Sequence, residues 1–208
     1  ADGVRESVVS GLGVVRNLRS RLASLGLSDD AAWEIDHRLA AKEDQFERAV
    51  VLAHGIRLEA LADDGVVTPG QGVSITALIA NQGEADFVVE SVGLNGFTAA
   101  PSSCDAESTV APADVYSCVA ELEVPTETEP TSIHWSHVAG ASRYMLDEDV
   151  PYGAPFRPTP FGASFNLKFG PTEVTVNRPV QYRYGDDIFT GEKRTELNVV
   201  PRLAVEVS

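Results

Sequence analysis

The chain has 208 residues, of which 43% are hydrophobic, a content that is ordinary for a folded protein and argues against wholesale disorder. Its 31 acidic and 16 basic residues give a net charge of −15, which disfavours nucleic acid and anionic membrane surfaces as partners. No apolar run approaches the roughly 20 residues of a membrane span, and no signal-like stretch opens the chain. Because the sequence starts at Ala1 without methionine, we expect a mature or excised piece of a longer protein.

The first predicted element is an amphipathic helix over residues 4–25. Apolar residues recur there at three- and four-residue steps, and Gly26 is suited to a left-handed cap at the end. Gly11 and Gly13 lie inside this helix and each weakens it by roughly 1 kcal/mol. The helix is therefore expected to need a packing partner.

A second helix is predicted to begin at Ser28, whose hydroxyl can cap free amides, and to stop at Gly55. Its apolar stripe runs from Trp33 to Ala53. The short connection between the two helices predicts an α-helical hairpin over residues 1–55. Two helices cannot bury both of their stripes, so a third surface must cover them.

After Gly55 apolar and polar residues alternate, which is the period of a β-strand. The clearest segment, 73–80, is entered through the turn Pro69-Gly70 and left through 81–83. Strands are predicted at 56–62, 73–80, 87–94, 115–124, 163–169, 173–184 and 195–207, with a break or an edge position at Pro179. This pattern predicts an Ig-like sandwich of two antiparallel sheets over 56–208, and with the helices an α+β fold.

Residues 130–161, which we name the strap, are too long for an ordinary loop and are rich in aromatic residues and proline. Such a segment is predicted to lie extended on the sheets with a stiffened backbone. Its candidate glycan-stacking residues are Trp135, Tyr144, Tyr152 and Phe156, since ring faces pack against the C–H surfaces of sugars. The alternative is that these rings line the core, and the flanking prolines favour that second interpretation.

The two cysteines, Cys104 and Cys118, are about 14 positions apart. This spacing is compatible with a disulfide between a loop and a strand, and two buried free thiols are the alternative. A zinc site is disfavoured, because two cysteines without a nearby histidine supply too few ligands. With the acidic, lysine-poor composition, the cysteines favour an exported protein, periplasmic or extracellular.

Few residues are arranged for metal or catalytic chemistry. His134 and His137 come closest to a ligand pair, but on an extended segment they point in opposite directions. The acidic runs 147–149 and 186–187 match no calcium-binding loop and are interpreted as solvated turns. A nucleophile elbow and a glycine-rich phosphate loop are both missing from the sequence. We therefore predict no catalytic residue, no cofactor site and no metal ligand in this chain.

Three runs of sequence resemble a known family. The runs IHWSHVAGASRYMLDEDVPYGAPFRPTPFGASFNLKFG and VTVNRPVQYRYGDDIFTGEKRTELNVVPRLAVEVS resemble the region downstream of the catalytic domain in large bacterial PIG-L (LmbE-like) deacetylases. The run AHGIRLEALADDGVVTPGQGVSITALIANQG is similar to the junction between helix and sandwich in that region. The sandwich itself resembles the Ig-like domains associated with alpha-galactosidases.

This resemblance implies a non-catalytic accessory region. Family members are zinc-dependent N-deacetylases acting on amino-sugar conjugates, and their metal site uses an early AHPDD-type motif and a later histidine. The present chain has no His-Pro-Asp-Asp, so no catalytic residue is carried over. By resemblance, its partners are the parent's catalytic domain and a glycan substrate. The alternatives are a carbohydrate-binding module that uses the strap rings and a cryptic metal-dependent hydrolase.

Overall fold

The computed structural model describes residues 2–98, 104, 107–140, 142–151, 153–154, 156–185, 189 and 191–203. Two helices precede a series of strands, so the α+β class predicted from the sequence is confirmed. The helices are α1 (Asp2–Arg21) and α2 (Asp29–Ala53). The first strands are β1 (Ile56–Ala62), β2 (Val66–Val67), β3 (Gly72–Asn81), β4 (Phe87–Asn95), β5 (Ser108–Val110) and β6 (Val115–Glu123). The later strands are β7 (Trp135–His137), β8 (Tyr144–Leu146), β9 (Gly162–Phe169), β10 (Thr172–Pro179), β11 (Gln181–Tyr184), β12 (Lys193–Glu196) and β13 (Asn198–Val199).

The ends of the helices follow the local sequence signals. After α1 a short 3-10 turn leads to Gly26, which has a φ of +64°. Ser28 then caps α2, because its Oγ accepts a hydrogen bond from the amide of Ala31 at 3.4 Å. Gly55, with a φ of +66°, redirects the chain from α2 into β1. No helix in the described part of the chain is both long and apolar enough to cross a membrane.

The close approach of α1 to α2 depends on Gly11. A Cβ atom at Gly11 would lie 2.4 Å from a ring carbon of Phe46, whereas a Cβ at Gly13 would meet no atom within 4 Å. Gly11 therefore has a packing function that helical periodicity does not reveal. Gly13 is an open position on the same helix.

Arginines of α1 and carboxylates of α2 join the helices along one side. Arg16 binds Glu43 and Glu47, with nitrogen–oxygen distances of 2.8 and 2.6 Å. Arg19 binds Asp36 at 2.9 Å and Glu43 at 2.6 Å. Burial raises the pKa of Glu43, but the hydrogen bonds from Arg19 and Arg16 outweigh burial and leave that pKa below 4.5. These pairs fix the register of one helix on the other.

Two main sheets form the β region. The first has the strand order β12-β11-β1-β3-β6 and the second the order β10-β9-β4-β5. Most neighbours are antiparallel, but β1 is parallel to β11 and β2 is parallel to β13, so the prediction of purely antiparallel sheets is wrong at these two pairs. The second sheet ends its last strand at Pro179, where β10 stops, and the buried Val180 leads the chain into β11. Proline has no N–H to continue the ladder, and the chain leaves the second sheet there and enters the first beside β1.

The inward side chains of both sheets form one core. In β3 the predicted alternation is confirmed, because Val73, Ile75, Ala77 and Ile79 are each at most 2% exposed. Leu12 of α1 and the end of α2 belong to the same cluster. The helices therefore pack onto the β region through Leu12 of α1 and the C-terminal end of α2.

The later part of the chain differs from the predicted strands in two ways. The strap contains a two-stranded antiparallel sheet, β7 and β8, which the sequence pattern did not reveal. The last predicted strand, 195–207, is replaced by β12 and β13 with a break at the buried Leu197. Residues 204–207 of that prediction lie outside the described residues.

Candidate functional site

A groove of about 1050 Å³ lies between the strap and the β12–β13 segment, and we refer to it as the groove. Its walls are formed by residues 128–135, 149–150 and 156–160 of the strap and its approach, and by residues 195–198. Ligand sites commonly have volumes of about 300–1000 Å³. The groove is therefore large enough for a ligand of several rings.

Hydrogen bonds of the backbone and of two threonine side chains hold the strap along the groove. The N–H of Thr131 donates to the carbonyl of Val199, and the N–H of Val199 donates to Thr131 Oγ1, both at 2.9 Å. Farther along, the amide of Asp147 donates to the carbonyl of His134 at 2.9 Å. Thr159 Oγ1 donates to the carbonyl of Leu197 at 3.3 Å on the opposite wall. The position of the strap thus depends on these hydrogen bonds, in which its aromatic rings take no part.

Two of the four candidate stacking residues line the groove. Trp135 is 42% exposed and Phe156 is 81% exposed. Tyr144 is 60% exposed and packs edge-on against Trp135, with ring centroids 5.0 Å apart and an angle of 86° between the rings. Tyr152, the fourth candidate, lies outside the described residues.

The interpretation of these rings as core lining is wrong for Trp135, Tyr144 and Phe156, which are all solvent-exposed. In the strap, Phe161 is the aromatic ring that is fully buried. The core is filled without the three exposed rings, because phenylalanines of the sheets, such as Phe165, already occupy the interior. The rings that the strap leaves open are therefore free to contact a ligand.

Arg157 connects two acidic residues of the strap. Its Nη1 lies 2.6 Å from Asp149 Oδ2, and its Nη2 donates to Asp147. Its Nε is shielded from solvent and has no hydrogen-bond acceptor among the described residues. A buried donor without an acceptor costs free energy, roughly 1–3 kcal/mol, which reduces the net stabilisation that the two ion pairs of Arg157 provide.

The sequence reasoning missed the polar lining of the groove, above all Arg157, Glu129 and Glu196. The acidic run around Asp147 was visible as a cluster but was interpreted as a solvated turn. No local spacing signals that an arginine ten positions later will bind it. Arg157 meets Asp147 because the strap folds back on itself, a tertiary contact that local sequence does not encode.

The metal candidates do not converge. His134 is 6% exposed and lines the groove, whereas His137 is exposed on β7. The described residues contain no group of three or more histidines, cysteines or carboxylates able to hold a metal ion. The acidic run 186–187 lies outside the described residues.

Cys104 and Cys118 form a disulfide with a Cα–Cα distance of 5.5 Å. Both residues are buried, and Cys118 belongs to β6, an edge strand of the first sheet. The disulfide therefore links Cys104 to this edge strand. Neither cysteine lines the groove, so the bond is structural with respect to that site.

A second polar cluster lies on the outer face of the first sheet. Glu59 of β1 accepts bonds from Arg57 and Arg194, with Arg194 Nη2 at 2.6 Å, and Arg183 lies 3.9 Å away. Burial raises the pKa of Glu59, but the bonds from Arg194 and Arg57 outweigh it and hold the pKa below 4.5. This cluster cross-links β1, β11 and β12, which are neighbours in the sheet. We therefore assign this cluster a role in the stability of the first sheet.

Comparison with known proteins gives little information about function. No family model and no curated protein matches the chain. Among solved structures, the sporulation control protein Spo0M from Bacillus subtilis is similar at 10% identity and a TM-score of 0.34, over 60% of this chain and 48% of Spo0M. The Pseudomonas fluorescens alkylpurine DNA glycosylase AlkC, bound to DNA with an abasic site analog, is similar at 8% identity and a TM-score of 0.24, over 80% of this chain and 42% of AlkC. The chain thus spans less than half the length of either protein, and likeness at this level supports no argument about activity.

Proposed function

We propose that this chain is a non-catalytic accessory module that binds a glycan in the groove. The observation that carries the proposal is the exposure of Trp135 and Phe156 on the walls of one groove. Aromatic rings that share the walls of one groove with a few polar groups are typical of ligand sites.

The architecture and context of the module follow from the resemblance described above. We interpret the helical pair as a helical hairpin and the two main sheets as an Ig-like sandwich. The parent protein is proposed to be a PIG-L (LmbE-like) zinc-dependent N-deacetylase, with the groove presenting the glycan to its catalytic domain. The disulfide supports export to the periplasm or beyond, because such bonds persist in oxidising compartments.

The test is calorimetric titration of the purified chain with β-linked oligosaccharides. Trp135→Ala is expected to lower the affinity at least tenfold, since about 1.4 kcal/mol of stacking corresponds to that factor. The matched control is Trp33→Ala, because Trp33 is a tryptophan on α2 that is 67% exposed and lies outside the groove. Absence of binding to every oligosaccharide, or an equal loss in the control, would contradict the proposal.

A second function, positioning of the catalytic domain, is favoured by exposed apolar residues of the helices. Val14 is 66% exposed and Leu52 is 77% exposed. Such side chains are suited to a contact with another domain. Val14→Asp with Leu52→Asp is expected to leave the melting temperature of this chain unchanged and to lower that of the longer parent. An equal effect in both proteins would argue against a docking role.

A further inference from the structure

The charge of the groove restricts the kind of glycan that it can hold. Among the described residues, three carboxylates line it, those of Glu129, Asp149 and Glu196, against one guanidinium, that of Arg157. Arg157 is already bound by Asp149 and Asp147, so its charge is compensated within the strap. The lining therefore has an excess of negative charge.

Glu129 and Glu196 supply that excess. Both are exposed, and within the described residues neither side chain forms an ion pair. They approach the groove from opposite walls, since Glu129 precedes the strap and Glu196 ends β12. Two unpaired carboxylates across a groove repel an anionic sugar and attract a cationic one.

We infer that the ligand of the groove is an oligosaccharide with free amino groups, bound in their protonated form at mildly acidic pH. This inference rests on the proposed glycan-binding function and specifies its ligand class. Trp135 and Phe156 contact the C–H faces of the sugar rings, and Glu129 and Glu196 bind the ammonium groups. The net charge of −15 adds attraction at longer range, which salt weakens beyond a Debye length of about 8 Å.

The chemistry of the lining separates this ligand class from its neighbours. An N-acetylated sugar offers the same ring faces but no charge, so it gains the stacking alone. A sugar carboxylate would be repelled by both glutamates. A basic peptide offers charge without a flat C–H face, so it gains only the electrostatic contribution.

The test compares three oligomers of equal length by calorimetric titration of the full chain: a β-linked glucosamine oligomer, its fully N-acetylated form and a neutral glucose oligomer. The glucosamine oligomer is expected to bind at least tenfold more tightly than the other two, and this advantage is expected to shrink as salt rises. Glu129→Gln with Glu196→Gln is expected to reduce the preference to about threefold or less without loss of binding to the N-acetylated oligomer.

The matched control is Glu107→Gln with Glu123→Gln, which removes the same charge from exposed positions outside the groove and is expected to retain the preference. Equal binding of all three oligomers would overturn this inference and leave the glycan-binding function standing. Absence of binding to all three would overturn both. Binding of a tetralysine peptide as tight as that of the glucosamine oligomer, or loss of preference in the control, would also overturn the inference, because charge alone would then explain the result.

Discussion

β3 and the strap are the two extremes of this molecule. β3 pairs with β1 on one side and β6 on the other, and every second side chain is buried. β7 and β8 form a separate two-stranded sheet in which every residue is exposed. Folding therefore uses the apolar side chains of β3, whereas the strap is held by hydrogen bonds of its backbone and of two threonines, and its rings are left open. An apolar side chain that stays exposed, in a segment that hydrogen bonds hold in place, is thus recognised as part of a binding surface.

The sharpest test of this contrast uses two phenylalanines. Phe165 is fully buried and Phe156 is 81% exposed. Phe165→Ala is expected to lower the free energy of unfolding by about 3–5 kcal/mol, because it removes buried area and leaves a cavity. Phe156→Ala is expected to change it by no more than about 0.5 kcal/mol. Denaturant unfolding measures both, and a loss above about 1 kcal/mol at Phe156 would place that ring in the core.

The same contrast between packed and open positions recurs within α1, at Gly11 and Gly13. Gly11→Ala forces a methyl group onto the ring of Phe46 and is expected to cost about 1–3 kcal/mol. Gly13→Ala meets no atom and is expected to stabilise the protein by about 0.5–1 kcal/mol, since alanine is the better helix former. Thermal unfolding of the two variants should therefore shift in opposite directions. If both variants were stabilised, α1 and α2 would not be in close contact at this point.

The outer face of the first sheet lies between the two extremes, and Glu59 tests it through pH. The pKa of Glu59 is lower in the folded protein than its ordinary value of 4.5. Its contribution is therefore present above about pH 4.5 and is lost as pH falls through the folded-state pKa. Glu59→Gln is expected to cost about 1 kcal/mol at pH 7 and progressively less in acid.

The measurement is the free energy of unfolding as a function of pH, compared with that of Glu123→Gln. Glu123 is an exposed glutamate of β6, so its substitution removes the same charge from the surface of the same sheet. A cost at Glu59 that stays constant down to pH 3 would mean that the carboxylate is not stabilised by its arginines.

Most of the framework could be predicted from the sequence, because the features that form it are local. Period-two alternation identifies β3, the glycines mark the helix ends, and Pro179 marks the break between β10 and β11. The parallel pairing of β11 with β1 could not be predicted, since it depends on where the chain re-enters the sheet.

The groove could be predicted only in part. The rings of Trp135 and Phe156 are visible in the sequence, but their exposure depends on how completely other side chains fill the core. Arg157 binds Asp147, ten positions earlier, because the strap folds back on itself. Glu196 reaches the groove from a different element, β12. A composition rich in aromatic residues and proline is compatible with a packed strap and with an open one, so it cannot decide between them.

The smallest expected effect on stability concerns Arg157, and it tests whether the strap is independent of the core. Arg157→Met removes the bonds to Asp147 and Asp149, which are partly exposed, so the loss of stability is expected to be below about 1 kcal/mol. The strap should nevertheless open more often, and hydrogen exchange of the Asp147 amide, which is bonded to His134, should accelerate. Exchange of the β3 amides should not change.

Arg38→Met is the matched control, because Arg38 pairs with Glu34 on the exposed side of α2, and it should leave exchange in the strap unaltered. Since the ion pairs of Arg157 with Asp147 and Asp149 order one wall of the groove, Arg157→Met should also weaken glycan binding, while the β3 amides stay protected from exchange. If exchange of the β3 amides rose together with that of Asp147, the strap and the core would unfold as one cooperative unit. The open rings would then be maintained by the core itself, and the distinction between a packed framework and an independently held binding surface would not apply.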